Sequence, residues 1–138
     1  MANTCITEFR ITGTRKSLST LKSAISKAQE AVTDNGGYWL LFDILNELKI
    51  KNYRQVDTRA TASNIHITYW NDGYMLNFVT ESAWEEPYKL FCLINDKLNL
   101  NLTINYIAEE PMTNYVQIVD KNCVFPKGYR LFEEGEFD

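Results

Sequence analysis

Two runs rich in β-branched and aromatic residues, Asn64 to Trp70 and Tyr74 to Thr80, flank Asn71-Asp72-Gly73. So short a connection, with a glycine able to take the left-handed position, predicts a tight hairpin and two neighbouring antiparallel strands. On these strands Ile65, Ile67 and Tyr69 share one face, Leu76 and Phe78 share one face, and Met75, Asn77 and Val79 lie opposite the latter pair. The same period of two recurs elsewhere. Phe9 and Ile11 alternate with Glu8, Arg10 and Thr12, and Leu100, Leu102, Ile104 and Tyr106 alternate with Asn101, Thr103 and Asn105 until Glu109-Glu110-Pro111 ends the run.

Between these strands the period changes. After Thr14 or Ser17 as a cap, Leu18, Leu21, Ile25, Ala28 and Val32 fall on one stripe of a helix that should stop before Asn35-Gly36-Gly37. Leu41, Ile44, Leu45 and Leu48 predict a further helix over 38–50, with a strand at 39–42 as the competing reading. Residues 51–63 lack a clear period and read as a connection long enough to be a functional loop. Pro87 suits the first position of a helix, where its missing amide hydrogen is no loss, and Glu85 and Glu86 sit where the helix dipole favours negative charge. Leu90, Phe91, Ile94 and Leu98 then form the apolar stripe. Tyr115 to Val119 and Cys123 to Phe125, separated by Asp120-Lys121-Asn122, read as a second hairpin.

Strand, helix, strand, strand, helix, strand is the order of the βαββαβ unit. It predicts an α+β, ferredoxin-like antiparallel sheet with helices on one face, plus an inserted helix and a C-terminal β-hairpin. The other face would be left for a partner, for the hairpin or for solvent. The 138 residues match one domain spanning 1–138, with the acidic tail 133–138 frayed.

Composition narrows the function classes. Apolar residues make up 45% and charged residues 23%, with 6 glycines and 3 prolines, which excludes disordered and collagen-like chains. Apolar stretches such as Tyr38 to Phe42 fall far short of the ~20 residues needed to cross a bilayer, so no membrane partner is expected. The start, Met1-Ala2-Asn3-Thr4-Cys5, has neither the basic residues nor the apolar run of a secretory signal, and a cytoplasmic location is expected. Cys5, Cys92 and Cys123 are far apart and form no C-x-x-C pair, so they read as reduced thiols. Residues 1–60 carry 9 basic against 6 acidic side chains and residues 61–138 carry 5 against 12. Glu133, Glu134, Glu136 and Asp138 supply four of the twelve, so the asymmetry reads as a solvated tail, the alternative being a negative patch that repels nucleic acid or attracts a basic partner.

Candidate chemistry is sparse. Glu81, Trp84, Glu85 and Glu86, with Glu109 and Glu110 from the end of a later strand, could pair carboxylates for acid–base work or hold a hard cation. Glutamates at a helix start more often serve its dipole, and Glu109-Glu110 more often mark a solvated turn. His66 is the sole histidine, and no serine or cysteine has a nucleophile's context. No phosphate-binding glycine pattern occurs, and no cofactor is expected. Asp72-Gly73-Tyr74-Met75-Leu76-Asn77-Phe78 reproduces only the Gly-aromatic start of an RNA-recognition signature, with an acid where Lys or Arg belongs.

Met-Ala-Asn-x-Cys leading into a strand and Gly13, then Leu76-x-Phe78-x-Thr80-x-x-Ala83-Trp84-x-x-Pro87, then Tyr106 with Glu110-Pro111, resemble the YubB-like proteins of plasmids and phages, which have a ferredoxin-like domain. The resemblance implies that fold and an accessory role in a mobile element, with no established activity. The expected function is therefore a non-catalytic accessory that binds a host or element protein through the free sheet face. The candidate binding residues are Tyr69, Tyr74, Trp84, Glu85, Glu109 and Glu110. Single-stranded nucleic-acid binding on that face and a carboxylate-dependent metal hydrolase are the alternatives.

Overall fold

The computed structural model describes residues 4–31, 39–51, 59–83 and 86–132, the side chains of 39–42 excepted. Trp84, Glu85 and the tail 133–138 lie outside the described residues. In chain order the elements are β1 (Thr4–Gly13), α1 (Arg15–Ala31), β2 (Trp39–Leu40), α2 (Leu41–Glu47), β3 (Arg59–Trp70), β4 (Gly73–Ala83), α3 (Tyr88–Leu98), β5 (Thr103–Glu110) and β6 (Tyr115–Val119). The protein is α+β. Its antiparallel sheet has the order β2-β3-β4-β1-β5-β6, and because β2 is only two residues long, five strands carry it.

Strand alternation divides β1 into two sets. Cys5, Thr7, Phe9 and Ile11 are buried on one face, while Ile6, Glu8, Arg10 and Thr12 point to the other. The register sets Phe9 beside Phe78 on β4 and Tyr106 on β5, and Ile11 beside Leu76 and Ile104. Onto this first face pack Leu18, Leu21, Ala24, Ile25 and Ala28 of α1, Ile44 and Leu45 of α2, and Leu90, Phe91 and Ile94 of α3, all in one core. Its centre is three rings, with Phe9 to Phe78 at 4.9 Å, Phe9 to Phe91 at 5.0 Å and Phe78 to Phe91 at 5.3 Å between centroids. Truncating one such buried ring to alanine typically costs about 3–5 kcal/mol.

The helix boundaries have local causes. Thr14 Oγ1 accepts from the Ser17 amide at 3.1 Å, which identifies Thr14 as the cap of α1. α3 begins after Pro87 and ends at Asn99, which is left-handed (φ 49). Both readings of 38–50 hold in part, because residues 39–40 pair with 59–60 before α2 begins at Leu41. β3 starts at Arg59, inside the segment expected to be a connection; residues 52–58 lie outside the described set.

Two expectations are corrected. The β3–β4 turn is closed by the pair Trp70 and Gly73, so the left-handed positions fall on Asn71 (φ 48) and Asp72 (φ 61) and not on the glycine. Asn and Asp tolerate that conformation, as a two-residue hairpin loop demands. The C-terminal hairpin also differs. Tyr115–Val119 pairs with β5 across the turn Pro111–Thr113, and Cys123 to Phe125 forms no strand. Instead, residues 120–131 run irregularly across the sheet face opposite the helices. There Val124 and Phe125 bury Met75 and Ile107 in a second, smaller core, with Trp70, Tyr129 and Leu131 packed around it.

Candidate functional site

The second sheet face is roofed, not free, over β1 and β5. Asn105 on β5 is fully buried. Its Oδ1 accepts from the Lys121 and Asn122 amides at 2.6 and 3.3 Å, and its Nδ2 donates to Arg10 O at 3.0 Å and Asn122 Oδ1 at 2.9 Å. Asp120 accepts from the Val124 and Phe125 amides at 2.8 and 3.1 Å, which curls the segment back over the sheet. Arg10 donates through Nε to Glu8 at 2.7 Å and through Nη1 to Val124 O at 2.7 Å. Its guanidinium also lies over the stacked rings of Phe125 and Tyr129, 4.6 and 5.2 Å from their centroids. The Tyr129 hydroxyl donates to the other Glu8 oxygen at 2.7 Å, and burial and that bond push its pKa up.

Farther along, Glu109 accepts from the Arg130 guanidinium at 2.9 and 2.6 Å and from the Leu131 amide. The hydrogen bond and charge of Glu109 hold Arg130 above its ordinary pKa. An exposed turn does follow them at 111–113, but Glu109 and its neighbour Glu110 are themselves only 2% exposed, so neither is solvated. They also point to opposite faces, as consecutive strand residues must. Glu110 caps the turn 111–113, accepting from the Met112 and Thr113 amides and the Thr113 hydroxyl. Those donors hold its carboxyl below the usual range, the Thr113 hydroxyl contributing most.

The other proposed carboxylates do not gather there. Glu81 and Glu109 are both in register with Ile6, one strand to either side, which separates their Cα atoms by about 10 Å. Glu86 accepts from the Tyr106 hydroxyl at 3.0 Å and the Tyr115 hydroxyl at 2.9 Å, which ties the chain just before α3 to β5 and β6. Burial, then Glu86, pushes the Tyr106 phenol up. Among the described residues no group of three His, Cys, Asp or Glu is placed to hold a metal ion.

Tyr69 and Tyr74 come together, but not on the second face. Their register with Leu76 puts them on the helix side of the sheet, at the β3–β4 turn, with centroids 5.8 Å apart and rings edge to face. The Tyr69 hydroxyl donates to Asp72 at 3.2 Å, and Arg15 lies over the Tyr74 ring at 5.4 Å. Trp84 and Glu85, the remaining candidates, lie outside the described residues.

Two parts of the second face remain open. One is a cleft of about 320 Å³ between β3, β4 and β1, lined by Glu8, Arg10, Asn64, His66, Asn77, Phe78 and Val79. A bulge in β3, with Asn64 left-handed (φ 55), turns this part of the strand. His66 Nδ1 lies 2.7 Å from Asn64 O, and since a carbonyl only accepts, that nitrogen carries the hydrogen. Both Glu8 oxygens already accept a hydrogen bond, one from Arg10 and one from Tyr129, and the cleft lining is polar on the side of Asn64, His66 and Asn77.

The second open part is β6, the last strand of the sheet. Among the described residues nothing pairs with its outer edge. Val116 and Ile118, in register with Glu109 and Ile107, point to the second face and are 37% and 51% exposed, and Met112 in the preceding turn is 78% exposed. The strand itself is visible in the sequence, but its partner is β5 and not residues 123–125, so its open edge is not. The cover over the second face has one sequence signal, the apolar residues Val124, Phe125, Tyr129 and Leu131 in the stretch before the acidic tail 133–138.

Among the described residues no helix is long and apolar enough to cross a membrane. No family model matches the chain, and no curated protein or solved structure matches it either.

Proposed function

We propose that this chain is a non-catalytic protein-binding module that adds a strand of its partner to the edge of β6. One observation carries the reading: a terminal strand with no charged residue, Tyr115-Val116-Gln117-Ile118-Val119, keeps Val116 and Ile118 exposed beside a buried Ile107. Sheet edges are normally blunted by charge, proline or a bulge, because unpaired backbone groups recruit other strands. Main-chain hydrogen bonds then supply affinity and alternate side chains supply selectivity. The expectation that the whole free face binds the partner gives way to this narrower strip, since residues 120–131 cover the face over β1 and β5.

The ferredoxin-like reading is retained within this proposal. The order β3-β4-β1-β5 of the long strands, with α1 after β1 and α3 after β4, supports it. The likeness to YubB-like proteins supports an accessory role in a plasmid or phage, with a host or element protein as partner. Three free cysteines support the cytoplasm as the compartment.

The test is a pull-down from host lysate with the wild-type chain, Ile118→Lys and Tyr69→Ala. The wild type and Tyr69→Ala should retain the same protein while Ile118→Lys loses it. Recovery of nucleic acid alone, lost on raising the salt and on Tyr69→Ala, would replace this reading with the single-stranded nucleic-acid one.

A further inference from the structure

We infer that the partner at β6 is a second copy of this chain, the two β6 strands pairing antiparallel about a two-fold axis at Gln117. The inference rests on the reading of β6 as a protein-binding edge and names its occupant.

The strand is self-complementary in that register. With Gln117 opposite Gln117 of the second copy, Val116 faces Ile118, Ile118 faces Val116, and Tyr115 faces Val119. β-branched residues set directly opposite one another are favourable cross-strand neighbours, and the two glutamine amides can each donate to and accept from the other. Like charges opposite one another are the usual obstacle to self-pairing. Residues 115–119 carry none, and one step outward Asp120 faces the neutral Asn114. Self-pairing also continues the packing that the fold leaves unfinished. Ile118 lies beside Ile107, a member of the second core. In the pair Val116 of the second copy would cover the outer side of Ile118, so the small core would run from one sheet into the other. A closed two-fold contact of this kind uses up both edges and ends the assembly at two copies.

The contact is small. Five residues on each side bury well under the roughly 1,200 Å² of a standard interface, so the association should be concentration-dependent, with a Kd of about 10⁻⁵–10⁻³ M.

Sedimentation velocity from 10 µM to 1 mM, on wild type and Ile118→Lys, should show a monomer–dimer equilibrium in the first and a monomer in the second. Register is tested by cysteine cross-linking in a Cys123→Ser background, which removes the exposed native thiol. Residues directly opposite in an antiparallel pair have Cα atoms about 4.5–5.5 Å apart, within reach of a disulfide. Gln117→Cys should therefore form a covalent dimer on mild oxidation. Val116→Cys alone should not, but should cross-link when mixed with Ile118→Cys.

A wild-type chain that is monomeric at 1 mM, a dimer that persists in Ile118→Lys, or a Gln117→Cys variant that links no faster than the Cys123→Ser parent would each overturn the inference. Amide exchange separates this failure from that of the broader proposal. If the chain is monomeric but residues 115–119 become protected in a complex with another protein, self-pairing is wrong and strand addition at β6 stands. If a captured protein protects other residues and leaves these amides exchanging freely, strand addition at β6 is wrong as well.

Discussion

The two ends of the sheet meet the same problem in opposite ways. At the β3 end, β2 covers residues 59–60, and Gln29 of α1 then reaches out so that its Oε1 accepts the Ala62 amide at 2.9 Å. The bulge at Asn64 breaks the register beyond that, and the outward positions are polar, with Ser63, Asn64, His66 and Thr68. At the β6 end there is no charge, proline or bulge in Tyr115–Val119, and Val116 and Ile118 are exposed. An apolar edge left open, in a sheet whose other edge is capped over 59–62 and is bulged and largely polar beyond, is a liability for solubility. The contrast points to β6 as the strand whose exposure serves a contact.

The largest expected effect comes from the roof that covers the second face over β1 and β5. Phe125→Ala removes a ring that packs on Met75, Ile107 and the Arg10 guanidinium, and should cost about 3 kcal/mol in urea unfolding. A loss below about 1 kcal/mol would mean that residues 120–131 do not pack on the sheet, and the second face would again be a candidate surface. Gln29→Ala unseals the β3 edge. It should cost about 1 kcal/mol and speed exchange of the Ala62 amide, while leaving β6 amides unchanged.

A pH-confined effect comes from Glu110, which caps the turn that launches β6. Its folded pKa lies below the ordinary value of 4.5, so its stabilisation is present above that value and is lost as pH falls through the lowered one. Glu110→Gln should therefore be less stable than wild type at pH 7, with the gap closing in acid, as urea midpoints at pH 7 and pH 3 would show. The smallest effect belongs to the open edge itself. Ile118→Lys should change folding stability by no more than about 0.5 kcal/mol while removing binding. A large thermal destabilisation would show that Ile118 is packed, and the contrast between the two ends would fail.

Elements with a clean period were legible. Phe9 and Ile11, Leu76 and Phe78, and Ile104 and Tyr106 fall on one face, as their alternation requires, and the stripe Leu18, Leu21, Ile25 and Ala28 is buried in α1. The second face was not legible, because an irregular segment has no period to read. Asn105 looks like an outward polar residue in an alternating strand, yet it is buried because the amides of Lys121 and Asn122 come to its side chain. Glu109 and Glu110 look like a solvated turn, yet the partner of the first, Arg130, lies 21 residues away. The strand β6 was recognised but paired with the wrong neighbour. Pro111 and the left-handed Asn114 (φ 56) are the local marks of the turn that returns it to β5.

Amide hydrogen exchange, followed at both edges of the sheet as the chain is concentrated from 10 µM to 1 mM, tests most directly whether β6 is the binding edge. Exchange within residues 115–119 should slow several-fold, or more in a complex with a captured partner, while residues 61–67 of β3 keep their rates. Unchanged rates at β6 under both conditions, with new protection at the β3 edge or the cleft around His66, would contradict it.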